Sequence, residues 1–322
     1  NPKWPVMPLT LEQYVERIGS RTDLPWPAAP RIDPPKAKPA LHPLPVKAVF
    51  WTVYGTLVAI PQGELQFEHP QDFVTDAALD KLIKEFKMWN SMSRKPGTPS
   101  AYMKELYRKA LTTLQMAGSG GEKYPEVQVE RVWDDIVKKL FQKDYQFDML
   151  TYGSMNEYVK KIAYFYHASI QGVGAYPGAV DALRLVADRG VFQGILADGQ
   201  CFTSGQLQRC LKQQDSSFEM DVAIPSTLRI ISAEKKAKKP SETLFKAAAQ
   251  AGAGKGIDPG EILHVGSNLA RDIAPAKKHG FRTALFAGDK NSLTATPEQL
   301  KDAAFRPDVL LTELPQILEV IG

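Results

Sequence analysis

The feature that most constrains this chain is an alternation of strand-like and helix-like stretches that begins at Val46, breaks off, and resumes after Pro177-Gly178. The opening run "VKAVFWTV" is apolar on both faces, as strands are when helices cover both sides of a parallel sheet. Beyond Gly178 a helix over Ala179 to Arg189 leads to the strand "VFQGILA", and a helix near 204–213 leads to the strand "MDVAI". "SETLFKAAAQAG" then leads to "EILHVG", "NLARDIAPAKKHG" to "RTALFA", and "PDVLL" is a last strand before a helical end. Such units predict an α/β fold, a Rossmann-like parallel sheet. Residues 65–174, which interrupt it, read mainly as helix: "DAALDKLIKEFKMW", "SAYMKELYRKALTTLQ", "VERVWDDIVKKLF" and "MNEYVKKIAYFYHAS" carry apolar residues at i, i+3, i+4 spacing. The expected organisation is a core from 46–64 and 175–322, with a helical domain of residues 65–174 inserted after the first strand.

Residues 1–45 stand apart. They hold 11 of the 24 prolines, and proline fixes φ and removes a donor, so an extended arm is predicted there. "TLEQYVERIG" within it can form a short helix, and Trp4 and Trp26 are candidate anchors to the body. The arm is expected to dock on its own domain, with binding of a protein partner as the other reading. The chain begins at Asn1 rather than Met, which leaves open a targeting segment ahead of it.

Composition narrows the function. A net charge of +4 over 322 residues lacks the dense basic stripe of a nucleic-acid binder, so no nucleic-acid partner is expected. No apolar run approaches the roughly 18 residues that span a bilayer, so no membrane partner is expected either. Cys201 and Cys210 lie nine apart without a His at metal-ligand spacing, and a helix between them would turn them to different faces. They read as structural thiols of a reducing, cytoplasmic compartment.

In sheets of this kind ligands bind beyond the carboxyl ends of the strands. The segments there are Trp51 to Thr56, Ala197 to Cys201, Lys238 to Ser241 and Gly266 to Asp272. In this order, around an inserted helical cap, they resemble the haloacid dehalogenase (HAD) superfamily, in its subclass with an α-helical cap. That subclass holds phosphatases and 2-haloacid dehalogenases, and the resemblance covers residues 46 to about 322.

The resemblance implies an aspartate nucleophile after the first strand, in an Asp-x-Asp/Tyr-Gly-Thr-Leu/Val pattern. This chain reads Thr52-Val53-Tyr54-Gly55-Thr56-Leu57: the turn is kept and the nucleophile is not. A carboxylate is ionised at neutral pH and attacks without losing a proton, whereas a hydroxyl needs a base. The second motif should end in Ser or Thr and here reads Ala197-Asp198-Gly199, which puts a negative charge where a neutral donor is implied. The backbone N–H groups of Asp198 and Gly199 are left as anion donors. The third, "SAEKKAKKPSETLF", matches best: Ser232, Glu234, Pro240 and Phe245 frame Lys239, which the resemblance makes the charge-balancing lysine. In the fourth, Gly266-Ser267-Asn268-Leu269-Ala270-Arg271-Asp272 keeps the second of two Mg²⁺-binding carboxylates, with Ser267 in place of the first. Ser267 or Asn268 can cap the helix that follows, and Arg271 is expected in a surface salt bridge.

The catalytic candidates are therefore Thr52 at the nucleophile position, Tyr54, Lys239 and Asp272. The anion-binding candidates are Gly55, Thr56, Ala197, Asp198, Gly199, Ser267 and Asn268. No metal site or other cofactor is expected, since Mg²⁺ wants one or two carboxylates and only Asp272 is left to bind it, weakly at best. Losing a nucleophile typically costs on the order of 10⁶ in kcat, so the leading expectation is a HAD-fold pseudoenzyme. It would bind a small anion through Lys239 and the loops, or a protein through its cap or arm. The alternative is an active, metal-independent hydrolase of a small phosphorylated or carboxylate substrate, with Asp198 or Asp272 as general base. The cap aromatics Trp89, Tyr102, Tyr107, Trp133, Tyr164 and Tyr166 read as helix core, and His167 and His264 as structural.

Overall fold

The computed structural model describes residues 7–92, 97–117 and 120–322. Eight strands run in chain order as β1 (Ala48–Trp51), β2 (Val58–Ala59), β3 (Gly174–Ala175), β4 (Phe192–Ala197), β5 (Arg229–Ile231), β6 (Ile262–Gly266), β7 (Arg282–Phe286) and β8 (Val309–Leu311). Six of them form one parallel sheet in the order β5-β4-β1-β6-β7-β8. Every residue of β1 is buried. Val49 and Trp51 join the core on one face of the sheet, and Ala48 and Phe50 the core on the other. That two-sided burial is what the unbroken apolar run of β1 encodes. The chain reverses its direction of travel across the sheet beside β1, so the crevice at the carboxyl ends of β1 and β6 is the topological switch point.

The chain leaves this core after β2 and returns through β3. These two short strands pair antiparallel, Val58 with Ala175 and Ala59 with Gly174. Between them lie the helices Asp72–Glu85, Pro99–Met116, Val129–Phe141 and Met155–Ile170. Their apolar faces meet in a core of their own. At its centre the rings of Tyr107, Trp133 and Tyr166 pack with centroids 4.9–5.4 Å apart. The whole is an α/β fold, a Rossmann-like parallel sheet with a helical segment inserted between β2 and β3.

The arm is docked on the described residues. Its predicted helix forms at Leu11–Gly19 behind a Thr10 capping box, with Tyr14, Val15 and Ile18 buried. It packs against both the cap helix Met155–Ile170 and the core helix Thr203–Gln214. Further along, Ala40 bridges to Leu310, Leu44 N–H donates to the Val320 carbonyl at 2.8 Å, and Asp33 pairs with Lys290 at 2.9 Å. Trp26 stacks edge-on against Phe165 of the cap at 5.4 Å; Trp4 lies outside the described residues.

Three expectations need correction. "MDVAI" is not a strand: Met220–Ala223 is a single helical turn, and the strand at this place is the shorter β5. A five-residue run with four apolar residues and Asp221 carries no decisive period, and Pro225 withholds the N–H a ladder needs. The first cap helix stops at Glu85, so Trp89 sits in the turn Trp89–Ser91 and is 54% exposed rather than core. After β6 the chain makes a π turn over Leu269–Ile273 before the helix Ala274–Lys278, where a continuous helix was read.

Candidate functional site

Four buried side chains meet at the switch point. Thr52, directly after β1, is held by its N–H donating to the Val265 carbonyl at 2.9 Å. Asp272 comes from the π turn, and Gly266 lets it approach: a Cβ on Gly266 would lie 2.4 Å from the Asp272 carboxyl carbon. Lys239 arrives from the loop after β5, its N–H donating to Asp198 Oδ1 at 2.8 Å. His264 projects from β6, in register with Phe50 of β1.

The Lys239 ammonium donates to Asp272 Oδ1 at 2.5 Å and to Thr52 Oγ1 at 2.8 Å, and lies 3.4 Å from His264 Nε2. The Thr52 hydroxyl in turn donates to Asp272 Oδ1 at 3.3 Å, with His264 Nε2 at 3.5 Å. Asp272 Oδ2 accepts from the N–H groups of Ser267 and Asn268 at 3.1 and 3.0 Å. Burial alone would push the Asp272 carboxyl up, but the charge and hydrogen bond of Lys239 together with the neighbouring His264 outweigh it and hold the group well below the usual carboxylate range. Burial and the same Lys239 charge push His264 down, so its ring is neutral at physiological pH. His264 Nδ1 faces the Phe50 carbonyl at 3.1 Å, and a carbonyl only accepts, so Nδ1 carries the proton and Nε2 a lone pair.

Around this cluster opens a cavity of about 790 Å³, lined by Thr52, Tyr54, Asp198, Lys239, Asn268 and Asp272 among others. Gly199 and Ser267 also line it, whereas Gly55, Thr56 and Ala197 do not. Gly55 makes the turn after β1 at φ +82, and Thr56 and Ala197 are wholly buried beneath. Tyr54 points its hydroxyl away from Lys239, donating to Gln206 Oε1 at 2.6 Å beside Thr203. Burial pushes that phenol above its ordinary pKa. Asn268, rather than Ser267, is the cap, accepting from the N–H groups of Ala270 and Arg271 at 3.0 Å each.

The loop amides read as an anion cradle are largely engaged. Gly199 N–H donates to Ser232 Oγ at 2.9 Å, and the Ser267 and Asn268 N–H groups hold Asp272. The Asp198 charge lines the cleft but is not free either. Its Oδ2 is held by Arg271, which also reaches Glu64 at 2.6 Å, so Arg271 forms a part-buried clamp rather than a surface bridge.

Two residues escaped the sequence reading. Sequence alone makes His264 a structural residue, yet strand order brings it against Thr52. Its signal was available: β1 and β6 both end in motif segments, and a histidine two residues before Gly266 sits level with the end of β1. Glu126 gave no signal, being a loop carboxylate of the inserted segment. It lines the cavity, accepts from Ser232 Oγ at 2.7 Å, and is pushed up to about 7 by burial, with the neighbouring Asp198 charge adding to the shift.

Mg²⁺ fits this donor set poorly. Lys239 and Thr52 bind Asp272 Oδ1 and two amides bind Oδ2, so the carboxylate is already coordinated by the protein. Among the described residues no group of three or more His, Cys, Asp or Glu could hold a metal ion. Cys201 and Cys210 are free thiols, and burial pushes Cys210 up to about 11. His167 is buried against Phe202, ring centroids 5.0 Å apart, and its pKa is pushed down to about 3 by burial.

Residues 236–317 match a HAD-hydrolase-like family model. Among solved structures, the chain is similar to the 2-haloacid dehalogenase from Pseudomonas syringae pv. tomato DC3000, with 16% identity and a TM-score of 0.52 over 86% of this chain and 98% of that one. It is also similar to the HAD phosphatase from Thermococcus onnurineus, at 18% identity and a TM-score of 0.44 over 86% and 98% of the two chains. The L-2-haloacid dehalogenase from Xanthobacter autotrophicus gives 19% and 0.40 over 85% and 97%. No curated protein sequence matches the chain. At these identities the likeness speaks for the fold, and the chemistry is carried by the residues.

Proposed function

We propose, from its HAD-type fold and the match of residues 236–317 to a HAD-hydrolase-like model, that this chain binds a ligand in its cleft without the hydrolytic chemistry of a HAD aspartate. One observation carries the reading: the Lys239 ammonium directs itself at Thr52, Asp272 and His264, which closes the nucleophile position into an internal network. Thr52 has no effective base. A general base works best with a pKa near the operating pH, and Asp272 and His264 are both held below their ordinary values. The small-anion grip expected of Lys239 is weakened by the same network, so binding falls to the wider cavity and its polar walls.

The test is hydrolysis of a panel of phosphate monoesters and 2-haloacids, with and without Mg²⁺, by the wild type and by Thr52→Val. The expected result is equal, background turnover in both. Turnover that disappears in Thr52→Val would show Thr52 acting as a nucleophile and sink the reading.

A second reading has its own support. Neither Asp198, clamped by Arg271, nor Asp272 suits a general base, but Glu126 lines the cavity with a pKa near 7. A metal-independent hydrolase would use it to activate water, and Glu126→Gln would then abolish a turnover that Thr52→Val leaves intact.

A further inference from the structure

Beside the cleft lies a second pocket of about 350 Å³, built where the cap meets the core. Two segments zip together along it. Pro125 bridges to Ala237, Glu126 N–H donates to the Lys236 carbonyl at 3.2 Å, and Lys238 N–H donates to the Tyr124 carbonyl at 2.8 Å. Lys123 and Arg131 from the cap side and Lys236 and Lys238 from the core side line this pocket. All four are exposed and none forms an ion pair among the described residues; the Lys123 ammonium lies 5.5 Å over the ring of its neighbour Tyr124. Phe67, Leu114 and Tyr124 supply its largest apolar and aromatic walls, and Gln115 and Gln128 add polar ones. Glu126 is the only carboxylate lining it among the described residues, and it is turned to the Ser232 hydroxyl at 2.7 Å.

Four cations line this concavity against one carboxylate, Glu126, which is engaged by Ser232, and a wall of one sign focuses a positive potential that draws anions; a single monoanion would leave most of that charge unanswered. The aromatic walls add a preference for a ligand with an apolar or planar body. We propose that this pocket binds an organic diphosphate, its phosphates between the cap and core cations and its apolar or aromatic body against Phe67 and Tyr124. Because each side supplies two of the cations, the ligand ties cap to core. The pocket shares Phe67, Gln115, Glu126 and Lys238 with the cleft but does not include Thr52, so the proposal stands whether or not the cleft turns over substrate.

Isothermal titration calorimetry of the full chain with ADP, geranyl diphosphate and inorganic pyrophosphate tests this. Saturable binding of at least one organic diphosphate is expected, at least tenfold tighter than pyrophosphate and falling steeply with salt. The two organic probes distinguish a planar from an aliphatic body. A Lys123→Ala/Arg131→Ala/Lys236→Ala variant, altered only at exposed positions, should bind at least tenfold more weakly while melting like the wild type. No saturable binding of either organic diphosphate, or equal affinity in the variant, would overturn the site. Pyrophosphate binding as tightly as both would overturn the role of the apolar wall.

Discussion

Lys239 Nζ and Asp272 Oδ1 lie 2.5 Å apart in an ion pair with almost no solvent contact, and Thr52 closes it on the cleft side. A pair so placed is more sensitive to losing one partner than to losing both, because a lone buried charge has nothing to replace its hydration. Lys239→Ala should therefore destabilise the protein by about 3–5 kcal/mol. Lys239→Met combined with Asp272→Leu should cost clearly less than the sum of the two single changes. Urea unfolding of the four proteins in a double-mutant cycle measures it, and simple additivity would contradict it.

Restoring the missing carboxylate should restore part of a cation site. Thr52→Asp puts a second acid beside Asp272, and with free Mg²⁺ at ten times its Kd linkage gives about 1.4 kcal/mol of stabilisation. Thermal melts with and without Mg²⁺ should show that rise in the variant and not in the wild type. A rise of equal size in the wild type would mean that Asp272 is not saturated by its protein partners.

Glu126 sets a pH dependence on the contact between cap and core. Burial, with the Asp198 charge, raises its folded pKa to about 7 from the ordinary 4.5, against smaller opposing effects of the Ser232 hydroxyl and the Lys238 charge. A raised folded pKa contributes stability that is full below the unfolded value and is lost as pH rises through the folded one. The Tyr124–Glu126 segment should therefore exchange its amides faster, relative to intrinsic rates, at pH 8 than at pH 5. Glu126→Gln should flatten the difference. Asp272 acts in the opposite direction and in another window: its depressed pKa contributes stability above about pH 3.8 that is lost as pH falls.

The Arg271 clamp joins the loop after β2, through Glu64, to the loop after β4, through Asp198. Arg271→Lys should not replace it, since one ammonium cannot span both carboxylates as the guanidinium fork does. Limited proteolysis should cut near Gln62–Gln66 sooner in Arg271→Lys and Arg271→Ala than in the wild type. Unchanged cutting in both would show that the clamp does not order that loop.

The legible part of the molecule was whatever short-range pattern specifies. Helix Val129–Phe141 and strands β1, β6 and β7 follow from apolar period, and the Gly-Thr turn marks where β1 delivers Thr52. What escaped depends on contacts distant in sequence. His264 reaches Thr52 because β6 is the neighbour of β1, and Glu126 reaches Ser232 because a cap loop folds back over the core. The strand misplaced onto "MDVAI" has another cause: β5 has three residues, too few to show any period.

The helix Leu11–Gly19 touches the cap on one side and the core on the other. Any swing of the cap must peel Val15 and Ile18 from one of these walls, and full exposure of such a side chain costs roughly 1.5–3 kcal/mol. Removal of the amino-terminal arm should therefore speed the admission and the escape of a guest alike, shortening how long a ligand stays while leaving how tightly it is held nearly the same, and stopped-flow association and dissociation rates would check it.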